Sequence, residues 1–179
     1  MNPLRRRTLI ALLALGPVLA RAHTAGTDTS GLVTQTLSVG GRVKVSLMLS
    51  PDDLKAYPVQ NQAEITVKGR KGETLRVLKG YSGVKLIDLL DKATLVAAEP
   101  NDLKKTIVVA IASDDYKAVF SWSELYNTSV GEGVLVLYAK DGKPLADDEG
   151  RIALISINDL HTGPRHVRWL KDIQIRKID

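Results

Sequence analysis

The spacing of apolar positions predicts a chain of short strands with few helices. Apolar residues alternate with polar ones over residues 43–49 and 63–67, which indicates strands with one buried face. Residues 106–112 are almost wholly apolar and β-branched, as is typical of a central strand buried on both faces. Between Val84 and Ala93 the apolar positions instead recur at helical spacing, with charged residues on the opposite face.

Turn and cap signals divide the rest of the chain. Gly40-Gly41 predicts a hairpin turn, Ser50-Pro51 predicts the start of a short helix, and Ser121 with Glu124 predicts a capping box. Further strands are expected at residues 32–39, 74–78, 116–120, 133–139, 151–157 and 167–175. Eight to ten short strands, two or three short helices and no βαβ alternation predict a mixed α+β domain with a largely antiparallel sheet.

The first 22 residues have the organisation of a secretory signal peptide. Arg5-Arg6-Arg7 precedes an apolar run over residues 9–20, and Ala20-Arg21-Ala22 follows as a small-residue cleavage site. We therefore expect export to the periplasm. Residues 23–30 are predicted to form a disordered leader, and residues 31–179 a single domain.

Removal of this segment changes the charge of the protein. The sequence has 25 Lys and Arg against 20 Asp and Glu. Four of the arginines and none of the acids lie in residues 1–22, so the net charge falls from +5 to +1. A nearly neutral mature chain does not indicate nucleic-acid binding through a bulk positive field. The chain has no cysteine, which excludes a disulfide framework, a thiolate metal ligand and a Cys nucleophile.

The stretch 158–170 concentrates residues that can recognise a ligand. It holds His161, Arg165, His166, Arg168 and Trp169, and Gly163-Pro164 forces a turn within it. A cationic, aromatic loop between two strands is suited to a small planar or anionic ligand. Surface loops between strands are also commonly polar for no functional reason.

Enzyme motifs are largely missing from the sequence. It has no phosphate-binding glycine loop and no nucleophile elbow. The acidic clusters at residues 114–115 and 147–149 fall at predicted turns, where acids are common. Ser156, Asp159 and His161 lie too close together on one strand and loop to be expected to form a catalytic triad.

Five segments of the chain form an ordered set. They are GYSGVKLIDLL at residues 80–90, SDDYKAVFSWSEL at 113–125, the strand from Val134 with DGKPL at 141–145, GRIALI at 150–155 and RHVRWLKDI at 165–173. In this order, over about 95 residues, they resemble the oxidoreductase molybdopterin-binding domain, the core of sulfite-oxidase-like proteins. The resemblance implies a sulfite-oxidase-like fold with a pterin-cofactor pocket.

One departure from that family affects the expected cofactor. The resemblance implies a cysteine ligand to molybdenum on the strand before Tyr81, at the position of Val67 or Lys68. Because the chain has no cysteine, we expect a pterin ligand and no molybdenum. The resemblance extends to small exported members that bind a pterin and regulate a membrane partner, such as a cyclic-di-GMP enzyme, through its periplasmic domain.

A pterin needs a surface to stack on and a few directed polar groups. Trp122 or Tyr116 is predicted to stack on the ring, although tryptophans are more often core residues. Asp115 or Asp159 is predicted to accept hydrogen bonds from its amino edge. The cationic candidates for a hydroxylated side chain or phosphate are His161, Arg165 and Arg168.

Three functions follow from these observations. The first is an exported, non-enzymatic protein that binds a pterin and regulates a membrane partner. The second is a molybdopterin-dependent oxidoreductase with atypical metal ligation. The third is an adaptor domain whose pocket has no ligand.

Overall fold

The computed structural model describes residues 29–99 and 101–178, which form eleven strands and four α-helices. The strands are β1 Leu37–Gly41, β2 Leu47–Leu49, β3 Val59–Lys68, β4 Thr74–Lys85, β5 Thr106–Ala112, β6 Lys117–Ser121, β7 Val134–Lys140, β8 Lys143–Pro144, β9 Ala153–Ser156, β10 His166–Val167 and β11 Leu170–Lys177. The helices are α1 Pro51–Leu54, α2 Leu86–Ala93, α3 Trp122–Asn127 and α4 Ser129–Glu132, and short 3-10 turns lie at Ser30–Leu32, Leu103–Lys105 and Gly163–Arg165.

The strands form two sheets. One has the order β2-β1-β11-β5-β6, and the other has the order β10-β9-β7-β4-β3 with β8 paired to β7. Among the strands described, β1 and β11 are paired in parallel, and every other pair is antiparallel. The predicted α+β class with a largely antiparallel sheet is confirmed.

The main hydrophobic core draws on both sheets and on α2. The side chains of strand β7 alternate between its two faces. Val134 and Val136 belong to the main core, while Leu135 and Leu137 belong to a second cluster on the other face. All four side chains are almost completely buried. A strand covered on both faces must be apolar at successive positions, as β7 is.

The capping signals locate two helix starts correctly. Ser50 accepts a hydrogen bond from the Asp53 backbone N–H and begins α1, and Ser121 accepts one from Glu124 and begins α3. The helix expected from Val84 begins later, at Leu86, because Val84 is still paired with Val136 in the sheet. Strand β4 therefore runs without interruption through the two glycines that flank Tyr81 and Ser82.

The N-terminal strands are shorter than the sequence predicts. The strand expected at residues 32–39 begins at Leu37, and the one expected at 43–49 begins at Leu47. They do pair as a hairpin, but Gly41 is the last residue of β1 and the connection is residues 42–46. Gly41 has a φ of 92°, and a Cβ there would lie 2.3 Å from the Ile175 carbonyl oxygen, so the site requires glycine for close packing.

The strand expected at residues 167–175 is divided in two. Strand β10 pairs with β9 in one sheet, whereas β11 pairs with β1 and β5 in the other. Arg168 and Trp169 connect them, and Trp169 has a left-handed backbone with a φ of 51°. The sequence pattern does not reveal this change of sheet, because both halves of the segment have buried apolar side chains.

The predicted signal peptide and residues 23–28 of the predicted leader lie outside the described residues. Ser30, the last residue of that leader, begins a 3-10 turn. Among the described helices, none has the length and apolar character needed to cross a bilayer.

Candidate functional site

Three connecting segments surround an open cleft at the ends of the two sheets. They are the turn between β3 and β4, the turn between β5 and β6, and the segment from Gly163 to Trp169. The outer part, here called the hairpin cleft, has a volume of about 780 Å³ and is lined by Gly69, Arg70, Lys71, Glu73, Leu75, Tyr116, Gly163 and Pro164. The adjoining inner recess has a volume of about 240 Å³ and is lined by Val67, Leu75, Arg76, Asp114, Tyr116, Gly163, His166, Arg168 and Trp169.

Hydrogen bonds fix the walls of the cleft to one another. The Thr162 hydroxyl donates to the Thr66 carbonyl oxygen at 2.9 Å and accepts from the Lys68 backbone N–H at 2.8 Å. The Tyr116 hydroxyl donates to the Pro164 carbonyl oxygen at 2.7 Å. The loop after β9 is therefore attached both to the edge strand β3 and to the turn after β5.

The inner recess is cationic. Arg76 and Arg168 line it, and neither forms a salt bridge with any residue in the described part of the chain. The guanidinium carbon of Arg168 lies 4.4 Å from the centre of the Trp169 ring, which holds that side chain in place by a cation–π contact. Two arginines without acidic partners are suited to bind an anion.

His166 lies in the same recess and is neutral near pH 7. Burial lowers its pKa to about 4, and the positive charges of Arg76 and Arg168 add to this effect. Its Nε2 atom is buried and has no hydrogen-bond partner among the described residues. A buried, unpartnered ring nitrogen is uncommon, and it provides a directed polar group for a ligand.

Arg165 and Asp159 lie together in an ion-pair network beside the cleft. Arg165 donates from Nε to Asp159 at 2.6 Å, from a second nitrogen to the other Asp159 oxygen, and from Nη1 to Glu124 at 2.7 Å. Burial acts to lower the pKa of Arg165, but the hydrogen bonds to the two acids outweigh it and raise the pKa. The Ser156 hydroxyl also donates to Asp159, at 2.8 Å. This network holds the loop in place, and neither Arg165 nor Asp159 lines the cleft or the recess.

The other predicted site residues are divided between the cleft and more distant positions. Tyr116 and Arg168 line the site. Asp115 is exposed at the edge of the cleft and pairs with Lys117 at 2.6 Å, and this hydrogen bond lowers its pKa. His161 is exposed beside the β3–β4 turn, with its Cε1 atom 3.8 Å from the position of a Cβ on Gly72. Trp122 lies elsewhere, in a separate groove.

Sequence reasoning did not identify Arg70, Lys71 or Arg76 as site residues, and it included His166 only as a member of the stretch 158–170. Arg76 faces the site because it is paired in register with Val67 across β3 and β4. Val67 is one of the two positions that the family resemblance assigns to the metal-binding cysteine, and its buried side chain lines the recess. The sequence signal for His166 was its position next to Arg165, which was predicted to be a site residue.

Comparison with solved structures places this fold beside a known enzyme. The sulfane dehydrogenase SoxCD from Paracoccus pantotrophus is similar with a TM-score of 0.54 and 17% sequence identity. The match covers 78% of this chain and 37% of that chain, so the present sequence spans little more than a third of the length of the matched chain. At this identity the likeness establishes the fold alone.

Comparison of the sequence gives the family. No curated protein sequence matches the chain. A family model described as the oxidoreductase molybdopterin binding domain matches residues 26–179, which include every element of the two sheets and the whole of the cleft. The chain therefore belongs to the oxidoreductase molybdopterin-binding domain family.

Proposed function

We propose that the hairpin cleft and inner recess bind a phosphorylated pterin of the molybdopterin class, and that the domain is the cofactor-binding unit of an oxidoreductase. One observation carries the proposal: within the described residues, Arg76 and Arg168 have no acidic partner, and the nearby Nε2 of His166 has no hydrogen-bond partner. Family membership supports the class of ligand, because the family model that matches the chain is described as a molybdopterin binding domain.

Each part of such a ligand has a suitable partner in the site. Arg76 and Arg168 would hold a phosphate through paired N–H donors. The ring of Tyr116, which is 44% exposed and fixed through its hydroxyl to Pro164, offers a flat surface to a pterin ring. Asp114 in the recess would accept hydrogen bonds from an amino edge.

The metal of a molybdopterin cofactor fits this site less well than its pterin does. Where the resemblance implies a thiolate, the recess presents the apolar side chain of Val67, and the whole chain has no cysteine. Among the described residues, no group of three or more His, Cys, Asp or Glu side chains is arranged to hold a metal ion. A bound metal would have to be held by the sulfur atoms of the cofactor itself. The imidazole that lines the recess belongs to His166.

The missing cysteine supports a second candidate function. A protein that binds a pterin without a metal would need the cationic recess but no thiolate. In this candidate the protein is exported, is not an enzyme, and regulates the periplasmic domain of a membrane protein. The expectation that no molybdenum is bound depends on the missing cysteine alone, whereas the family match supports the oxidoreductase.

Purification of the full chain from a host that makes molybdopterin tests the shared proposal and separates the two candidates. We expect an oxidised, fluorescent pterin to be released from the wild-type protein, and its amount to fall at least about tenfold in an Arg76→Ala, Arg168→Ala double variant. Lys140→Ala, an exposed cation on β7 outside the site, is the matched control. Equal pterin in all three proteins would reject the site.

Metal analysis of the same samples distinguishes the candidates. Molybdenum in a one-to-one ratio with pterin would support the oxidoreductase and reject the metal-free regulator. Pterin without molybdenum would do the opposite. Fractionation of the host cells would test the expected periplasmic location directly.

A further inference from the structure

A second groove lies apart from the cofactor site. This aromatic groove has a volume of about 300 Å³ and is lined by Leu90, Asp91, Thr94, Leu95, Leu103, Trp122 and Tyr126. None of these residues lines the hairpin cleft or the inner recess. The groove is formed by α2, the segment that follows it, and α3.

Two stacked aromatic rings form one wall of the groove. Trp122 and Tyr126 lie four residues apart on α3, with ring centres 5.3 Å apart and planes inclined by 19°. The capping box at Ser121 fixes the start of the helix and therefore the direction of Trp122. The indole is only partly buried, so part of its surface faces the groove.

Three other aromatic rings in this protein have a cation over them. Arg165 lies over Phe120 at 4.5 Å, Arg168 over Trp169 at 4.4 Å and Lys140 over Tyr81 at 5.5 Å. Within residues 29–99 and 101–178, no comparable cation lies over Trp122 or Tyr126. Tryptophan is the aromatic side chain that attracts cations most strongly.

A carboxylate completes the site. The Tyr126 hydroxyl donates to Asp91 Oδ1 at 2.7 Å, which orients the carboxylate at the edge of the aromatic pair. Asp91 has no salt-bridge partner among the described residues. Burial raises the pKa of Tyr126, and the hydrogen bond to Asp91 and the charges of Asp91 and Asp88 raise it further. The groove therefore combines an aromatic face with negative potential.

We propose that the aromatic groove binds a small planar aromatic cation, in which an amidinium or guanidinium group is attached to a ring. The ring would stack on Trp122 among Leu90, Leu95 and Leu103, and the cationic edge would donate paired hydrogen bonds to Asp91. The leucines favour a ligand with a ring over a bare guanidinium group, because they provide apolar surface beyond the charged edge.

Titration of the full chain with benzamidine by isothermal calorimetry tests this inference. We expect saturable one-to-one binding that weakens at least about tenfold in Asp91→Asn, because the charge-assisted pair is lost while the shape is kept. Asp91 is exposed, so this variant is expected to fold normally. Asp52→Asn, an exposed carboxylate on α1 outside the groove, the hairpin cleft and the inner recess, is the matched control and should bind as the wild type does.

Neutral and non-aromatic probes complete the test. Benzamide, which has the same shape without the cation, should bind at least about tenfold more weakly than benzamidine. Equal binding of benzamidine by Asp91→Asn and the wild type would overturn the proposal, as would equal binding of benzamide. Tighter binding of an acetylated arginine methylamide than of benzamidine would overturn the requirement for a ring.

The two tryptophans allow the groove and the cofactor site to be distinguished. Trp122 lines the groove and Trp169 lines the inner recess. In a Trp169→Phe variant, Trp122 is the remaining tryptophan, and benzamidine should quench its fluorescence. In a Trp122→Leu variant that keeps Trp169, benzamidine should cause no quenching, and this result would support the groove. Quenching that persists in Trp122→Leu would place the ligand in the recess and overturn the proposal, whatever the outcome for the pterin.

Discussion

Replacement of Arg165 by Met should destabilise the protein by much more than the loss of an ordinary surface ion pair. The Arg165 side chain is 20% exposed and binds both Asp159, which is 9% exposed, and Glu124, which is 29% exposed. Its guanidinium also lies 4.5 Å from the centre of the Phe120 ring. Methionine keeps much of the apolar stem but leaves the buried Asp159 carboxylate with the Ser156 hydroxyl as its remaining side-chain partner.

The expected loss follows from this burial. Removal of one partner from a fully buried ion pair costs about 3–5 kcal/mol, and the partial exposure of Glu124 places this network at about 3 kcal/mol. Urea unfolding followed by circular dichroism measures it as a change in midpoint at constant slope. Lys117→Met is the matched control, because its pair with Asp115 is 43% and 80% exposed and should cost less than about 1 kcal/mol.

A refuting result would also have a clear meaning. If Arg165→Met cost no more than Lys117→Met, the network would not be what holds the loop beside the cleft. Unchanged stability together with lost pterin would instead return Arg165 to the ligand-binding role that the sequence suggested. Arg165→Lys should give an intermediate loss, because lysine keeps the charge without the paired geometry.

Three further predictions concern other parts of the fold. Thr162→Val should cost about 1–3 kcal/mol, since the Lys68 N–H and the Thr66 carbonyl both lose a partner; urea unfolding measures this, and an unchanged midpoint would contradict it. Gly41→Ala should cost at least about 2 kcal/mol because of its positive φ and close packing, whereas Gly31→Ala, with open space around it, should be nearly neutral in thermal melts. Because the His166 pKa falls to about 4 when folded, the unfolded chain binds more protons between that pH and about 6.5. Stability should therefore fall by up to about 3 kcal/mol as the pH drops through this window, and His166→Gln should flatten the dependence.

The sequence predicted the elements of the fold better than the contacts between them. The β-branched run Thr106–Ala112 and the cap residues Ser50 and Ser121 act locally, so their signals are readable without knowledge of the fold. The division of the C-terminal run at Trp169 is not readable in this way, because residues on both sides of it are buried. Only the partners of β10 and β11 show that they belong to different sheets.

The candidate site shows the same limit. The cationic loop around Arg168 was visible as a cluster in the sequence, and it does line the recess. Arg76 could not be recognised in this way, because it lies about ninety residues earlier in the chain. It lines the site because β3 and β4 pair in a register that sets it opposite Val67. Arg165 and Trp122 have residue types suited to a ligand, but the structure places one in an ion-pair network and the other in a separate groove.

The position of β11 has a consequence for the order in which the protein is made. This strand comes last among those described, yet it lies between β1 and β5 in the middle of its sheet. Ser38 on β1 and Asp172 on β11 are hydrogen-bonded across a separation of 134 residues. The ribosome must therefore release residues 170–177 before β1 can pair with β11. Closing so long a loop slows folding. Until then β1 and β5 each keep one unpaired edge, and such edges favour pairing with other chains and aggregation.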